Sequence, residues 1–404
     1  MAKNEALAAA MADLALSQTE LARRLNAENE ALTGREGRLT DRDVRRYLDG
    51  GTQWPHARQR LCLEKVLGRS ATELGFSRGE TGQARPRSNT AASGPSPASA
   101  PPLTRLGMSD VYRFHHEYVR ILQDDWKVGG ARQVENDAVE LSMRIQSTLS
   151  SGTASTRVRQ ALYSLASDVI SAAAFAAIDA KVRTRARRHL DRAITLAGLS
   201  GDSETQYHVW NHLAMAAGQR EDHVEGVAAA ETMKGLWVAR RDPLYASLAH
   251  MRIAKELARS FRRSEALRAL AAAERSFCRA GDEKRSAWID FYDHSELDGL
   301  SASIWFCVGD FGKAEYFFHR TLSGIRPELV RNVSLYTAHL ALAQARQGEL
   351  ELACATSQDA LGLLAGSGSK RTIDTLGRVW TVVASAGSRA PEVTSWLERS
   401  RQWK

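Results

Sequence analysis

The chain has 404 residues, 43% of them hydrophobic, which is enough for ordinary globular cores and predicts two or three domains. A formal net charge of +8 and a pI near 9.4 suit a polyanionic partner without identifying one. Four cysteines, at positions 62, 278, 307 and 354, form neither a CxxC pair nor a His-rich cluster, so neither a disulfide framework nor a zinc site is expected, and the protein reads as reduced and cytoplasmic.

Leu and Ala dominate, and several of the 9 prolines fall between Pro86 and Pro102, so the fold class is expected to be all-α. The N-terminus lacks the basic-then-apolar pattern of a signal peptide. The longest apolar run, Ile170 to Ile178, is too short and too Ala-rich to span a bilayer, so no membrane passage is expected.

In chain order, residues 4 to 15 read as a first helix with Leu7, Met11 and Leu14 facing a core. Two short helices follow, Ser17 to Leu25 and Thr40 to Leu48. Ser17 and Thr40 are hydroxyl N-cap candidates, each followed three residues later by an acid, Glu20 or Asp43. Leu21, Ala22 and Leu25 give the first its apolar stripe; Val44, Tyr47 and Leu48 serve the second, leaving Arg42, Arg45 and Arg46 toward solvent. This is the layout of a helix-turn-helix unit with the second helix as reader, or of a small helical bundle with surface arginines. Asn26 to Leu39 reads as a polar, Gly-containing loop, longer than the usual turn. Gly50-Gly51 closes the reader, and Trp54-Pro55 leads into a helix from about His56 to Leu67.

From Gly79 to Pro102 the composition turns to Gly, Ser, Ala, Pro, Thr and Arg, as in a flexible linker. The boundaries expected are a DNA-binding domain over 1–78, a linker over 79–105 and a repeat domain over 106–404. Beyond Ser109, helical patterns alternate with short turns, and small residues recur in pairs twelve apart: Ala174 and Ala186, Ala214 and Gly226, Ala254 and Ala266, Ala302 and Ala314, Ala341 and Ala353. The steps between pairs are 40, 40, 48 and 39 residues. Each pair marks a close crossing of two antiparallel helices. Trp210-x-x-Leu213-Ala214, with Ala186-x-x-x-Leu190 and Ala266-x-x-x-Leu270, follows a divergent tetratricopeptide pattern, and Gly309 and Gly348 sit five residues before a repeat alanine. An irregular α-helical domain is the alternative. The longer third step holds an aromatic insertion around Trp288 to His294, read as plugging the turn of a superhelix in preference to lining a ligand site.

Gln18, Ala22, Val44 and Tyr47, with Gly50, Pro55, Leu67-Gly68 and Leu74, resemble phage-repressor-type domains. Together with the linker, the phrase Trp288 to Asp293 and the turn Gly348-Glu349-Leu350, the chain resembles actinobacterial helix-turn-helix transcriptional regulators with C-terminal tetratricopeptide-like repeats. In layout it is also similar to the peptide-sensing regulators of Gram-positive bacteria. The resemblance implies a homodimer that binds double-stranded operator DNA and answers to a signalling peptide or small-molecule ligand. Thr40, Arg42, Arg45 and Arg46 would lie in the major groove, with Gln18 and Thr19 on phosphate. On the concave wall of the repeats the ligand candidates are His208, Asn211, Met251, Lys255, Arg259 and Arg346, with Asp179 beside them.

No P-loop, zincin or nucleophile-elbow motif occurs, Asp124-Asp125 has no His or Cys partner, and His115-His116 is adjacent rather than spaced for a metal. No catalysis, metal or cofactor is expected. A protein–protein scaffold without specific DNA readout remains the rival class.

Overall fold

A computed structural model describes residues 3–33, 37–77, 104–128, 132–364 and 369–401, which form two compact units, one on each side of residue 102. Of the segment 79–105, only the last two residues lie among those described. The fold is all-α: nineteen α-helices among the described residues, and one parallel pairing of two-residue strands, β1 (Thr104–Arg105) with β2 (Gly152–Thr153).

The N-terminal unit holds α1 (Glu5–Asp13), α2 (Gln18–Thr33), α3 (Asp41–Leu48) and α4 (Ala57–Leu67). Leu7, Leu21, Leu25, Val44, Leu63 and Leu74 are fully buried in one core, and Tyr47 meets Phe76 edge to face at 5.8 Å. Leu14 departs from its expected place. The helix stops at Asp13, Ala15 takes a φ of 51°, and the redirected chain leaves Leu14 exposed while Leu16 enters the core. The loop expected from Asn26 is also shorter. Ala27, Glu28 and Glu30 are good helix formers, and α2 runs on to Thr33. Asn26 then bridges to the entry of α3, its amide donating to Leu39 O (2.8 Å) while its Oδ1 accepts from Leu39 N (2.9 Å). Gly37 lies so close that an added Cβ would stand 2.3 Å from Asn26 Oδ1. At the other end of α3, Asn4 N donates to Leu48 O (2.7 Å), so both ends of this short helix are fastened.

In the C-terminal unit, α5 (Met108–Val128) and α6 (Arg132–Ser151) precede five helical hairpins. These are α7 (Thr156–Asp179) with α8 (Arg183–Ser200), α9 (Ser203–Gln219) with α10 (His223–Gly235), α12 (Pro243–Arg259) with α13 (Arg263–Phe277), α14 (His294–Cys307) with α15 (Phe311–Gly324), and α16 (Val330–Gln347) with α17 (Leu350–Leu364). A short α11 (Trp237–Arg241) interrupts the series, and α18 (Lys370–Ser385) and α19 (Pro391–Arg399) close it. All ten small residues of the twelve-apart pairs are buried, one on each helix of a hairpin, where two backbones approach too closely for a larger side chain. By length and composition α7 could cross a membrane, but most of it is buried within the unit.

Every hairpin turns in the same way. A residue five before the second small residue takes the left-handed conformation: Lys181 (φ 55°), Glu221 (61°), Phe261 (62°), Gly309 (84°) and Gly348 (89°). The next amide returns to the carbonyl five residues back, from Val182 to Ala177 (2.9 Å) through Glu349 to Gln344 (3.1 Å), the bond of a Schellman turn. Only two of the five positions carry the glycine this geometry favours. Phe261 is 92% exposed, so its ring contributes little packing in return. Phe261→Gly should therefore raise stability by about 0.5–1 kcal/mol, the left-handed penalty less the added chain entropy of glycine, read as a higher urea midpoint.

Candidate functional site

Each unit carries one candidate site. In the N-terminal unit it is the outer face of α3. Thr40 caps the helix, and its N–H (2.9 Å) and hydroxyl (2.8 Å) both donate to Asp43 Oδ2, bonds that hold the Asp43 carboxyl below its ordinary pKa. Val44 and Tyr47 anchor the inner face. Arg42, Arg45 and Arg46, spaced i, i+3, i+4, stand exposed together on the outside.

The pairing of cations separates this face from α2 and from most of the other described cations of the unit. Arg23 and Arg24 are bound to Glu20 at 2.8–3.0 Å, which lowers the Glu20 carboxyl to about 2; Lys65 is paired with Glu28, Arg69 with Asp13 (2.8 Å), and Arg60 donates to Pro55 O (2.8 Å). None of the three α3 guanidinium groups is in an ion pair or hydrogen bond among the described residues. Arg38, just before the helix, is exposed and unpaired in the same sense, and the sequence reading passed over it. Gln18, half-buried, and Thr19, exposed, open α2, which packs against α3. Asp41 and Asp49 are exposed at the two ends of the same short helix, so its charge is balanced overall and its basic character belongs to one face.

In the C-terminal unit, a cavity of about 140 Å³ lies among α5, α7, α9, α12, α14, α16 and α18. The first helices of all five hairpins face it. α9 begins at Asp202, whose carboxylate accepts from Thr205 N (2.7 Å), and projects His208, Asn211, His212 and Met215 inward at i, i+3, i+4, i+7. α12 begins at Asp242, which accepts from Leu244 N (2.9 Å), and supplies Arg252 and Lys255. Arg285 grips Asp242 with two bonds (2.6 and 3.0 Å), and Ser286 N donates to Glu204 (3.2 Å). These contacts tether the aromatic insertion so that Trp288 stacks on His208 at 4.2 Å and 10°, and Phe291 joins the wall. The insertion thus lines the cavity as well as filling space, where plugging was expected in preference to lining.

Two ion pairs close the wall. Arg331 on α16 holds Asp125 on α5 at 2.6 Å, both nine-tenths buried, with its guanidinium 4.5 Å over Phe175. Arg371 on α18 is paired with Asp179 at the end of α7, and the Lys181–Asp374 pair lies beside it. The two arginines hold the Asp179 carboxyl down despite its burial. Arg252 Nε donates to Asn211 Oδ1 (2.8 Å), leaving the Asn211 amide N–H₂ without a partner among the described residues. Burial pushes Lys255 down to about 8, His208 to about 3 and His339 to about 4, and raises the carboxyls of Asp125 and Glu296.

Of the residues singled out in sequence, the cavity brings together His208, Asn211 and Lys255, with Asp179 behind its wall. Met251 instead points into the core, one residue off the α12 stripe that Arg252 and Lys255 share. Arg259 sits at the end of α12 beside Glu256 (3.6 Å), and Arg346 is exposed near the end of α16. Arg252, Arg331 and Arg371 were missed. Arg252 shares a helix face with Lys255, a spacing that marks it, whereas Arg331 and Arg371 are defined by partners about two hundred residues away. No group of three or more His, Cys, Asp or Glu side chains is placed to hold a metal among the described residues.

Asp168 meets His208 Nδ1 at 2.9 Å, and burial raises its carboxyl to about 8. The native state keeps this proton up to about pH 8, whereas an unfolded Asp releases it near pH 4. Stability from this group is therefore fully present below about pH 4 and falls as pH rises through about 8. Asp168→Asn should gain on the wild type at pH 8 relative to pH 5, as measured by urea midpoints at the two pH values. Compared with known proteins, the chain matches no family model and no curated protein sequence.

Proposed function

We propose that this protein is a sequence-specific DNA-binding transcriptional regulator that works as a homodimer. In this reading the N-terminal unit is a helix-turn-helix domain with α3 as reader, and the C-terminal unit is an array of tetratricopeptide-like hairpins that senses a ligand. One observation carries it: three exposed arginines, unpaired among the described residues, share one face of a short helix whose opposite face and both ends are fixed to the core. Within the same unit Arg23, Arg24 and Arg69 are instead paired with carboxylates. An arginine fork held at a rigid helix suits the O6 and N7 of guanine in the major groove.

Gln18 and Thr19 would take phosphate contacts that set register, Thr40 would lie with the three arginines in the major groove, and Arg38 adds a further cation at the entry to the reader. The balanced charge of α3 predicts weak binding by a single domain, with affinity gained when two domains are joined through the repeat units. The repeated left-handed turns and buried small residues support the repeat reading, because they recur once per hairpin. A cavity of about 140 Å³ favours a small molecule over a signalling peptide as the sensed ligand.

Genome-wide capture of bound DNA followed by titration on the recovered sites tests this directly. Arg45→Ala should weaken a specific site by about 1–3 kcal/mol, and the Arg42, Arg45, Arg46 triple-Ala protein should lose specific binding. Residues 1–78 alone should bind more weakly than the full chain, and affinity should fall steeply with salt. If the triple-Ala protein bound recovered sites like the wild type, the scaffold reading would replace this one.

A further inference from the structure

The cavity of the C-terminal unit has a composition that specifies more than its size. Four cations face it, Arg252, Lys255, Arg331 and Arg371, and three carboxylates serve them, Asp125 and Glu296 in the wall and Asp179 behind it. One positive charge is left over. It falls to Lys255, since Arg331 and Arg371 hold their own aspartates and Arg252 lies with Asn211 and near Glu296, while the Lys255 ammonium has no hydrogen bond or ion pair among the described residues.

A second observation is independent of charge. Tyr118 OH, His212 Nδ1, Trp288 Nε1, Asp125 Oδ1 and Arg331 Nε all belong to residues more than nine-tenths buried that line this cavity, and none meets a hydrogen-bond partner among the described residues. Folded proteins leave few such groups unsatisfied, and five of them sit on residues around this one space, which marks its wall as polar. The walls also specify shape. Trp288 with His208, and Phe175 with His212 at 5.4 Å, are stacked pairs of flat rings, and a cavity of comparable volume accommodates one benzene ring.

We propose that the cavity binds a single-ring aromatic monocarboxylate, its ring packed beside Trp288, His208 and Phe175 and its carboxylate toward Lys255 and the free Asn211 amide. This deepens the sensor reading above and rests on it for its biological sense, though binding itself can be measured without DNA. A benzamide of the same shape would keep the ring contacts and leave the Lys255 charge unmet.

The test is calorimetry on the full chain with benzoate, 4-hydroxybenzoate and phenylacetate, each beside its neutral amide. At least one acid should bind at least about tenfold more tightly than its amide, and Lys255→Met should erase that difference while leaving the amide within about twofold. No binding by any acid up to millimolar concentration, as expected of a cavity that holds water alone, would overturn the proposal. So would amides that bind as well as acids, a comparison that needs no variant, or an acid affinity unchanged in folded Lys255→Met. Operator binding is scored separately: acid binding in a protein that ignores DNA would sink the regulator reading and leave the site standing. Operator binding with no acid bound would do the reverse.

Discussion

The buried pair of Arg331 with Asp125 is the contact on which the C-terminal unit depends. It joins α5, the first helix, to α16, 206 residues later, and with Arg371–Asp179 it turns a row of hairpins into a closed wall around a cavity. Such a pair is not a large source of net stability, because removing both charges from water costs nearly as much as their attraction returns. Its effect is selective. Removing either partner while the other stays buried would leave a lone charge, which is strongly unfavourable, so the pair specifies that α5 and α16 meet each other.

Closure also fixes the electrostatics inside. The arginines that seal the wall use up their aspartates, and the desolvation that makes the seal selective also moves Lys255 and the histidines toward their neutral forms. The two candidate sites are opposite solutions to one problem. On α3 the unpaired cations stand in water, where a polyanion can displace their counterions. In the cavity an unpaired cation is half-buried, where the gain from a matching anion is larger per contact than in open water.

Much of this was legible in sequence where the signal is local and periodic. The small-residue pairs located every hairpin because a close crossing recurs at a fixed distance from a fixed turn. The fastening of α3 was half visible: Thr40 and Asp43 announce a cap, but the Asn26–Leu39 bridge depends on a side chain inside a helix reaching across a loop. Leu14 misled because apolar periodicity does not show where a helix stops. His208, Asn211 and Lys255 were placed on the inner wall by register, and Met251 failed by one residue, about a 100° turn of the helix. Arg331 and Arg371 carried no sequence signal, since a buried arginine is recognised only by its partner, and those partners lie at the far end of the unit.

The closing contacts have a consequence for how the chain comes off the ribosome. Each hairpin is a local structure and can form as soon as its own forty or so residues have emerged, but Asp125 and Asp179 must wait for Arg331 and Arg371, the products of synthesis some two hundred residues later. Until then those carboxylates lie on an incomplete face with open, aromatic-lined walls. The cavity is thus complete only once α18 has been made, whereas most of the hairpins that line it precede that helix in the chain.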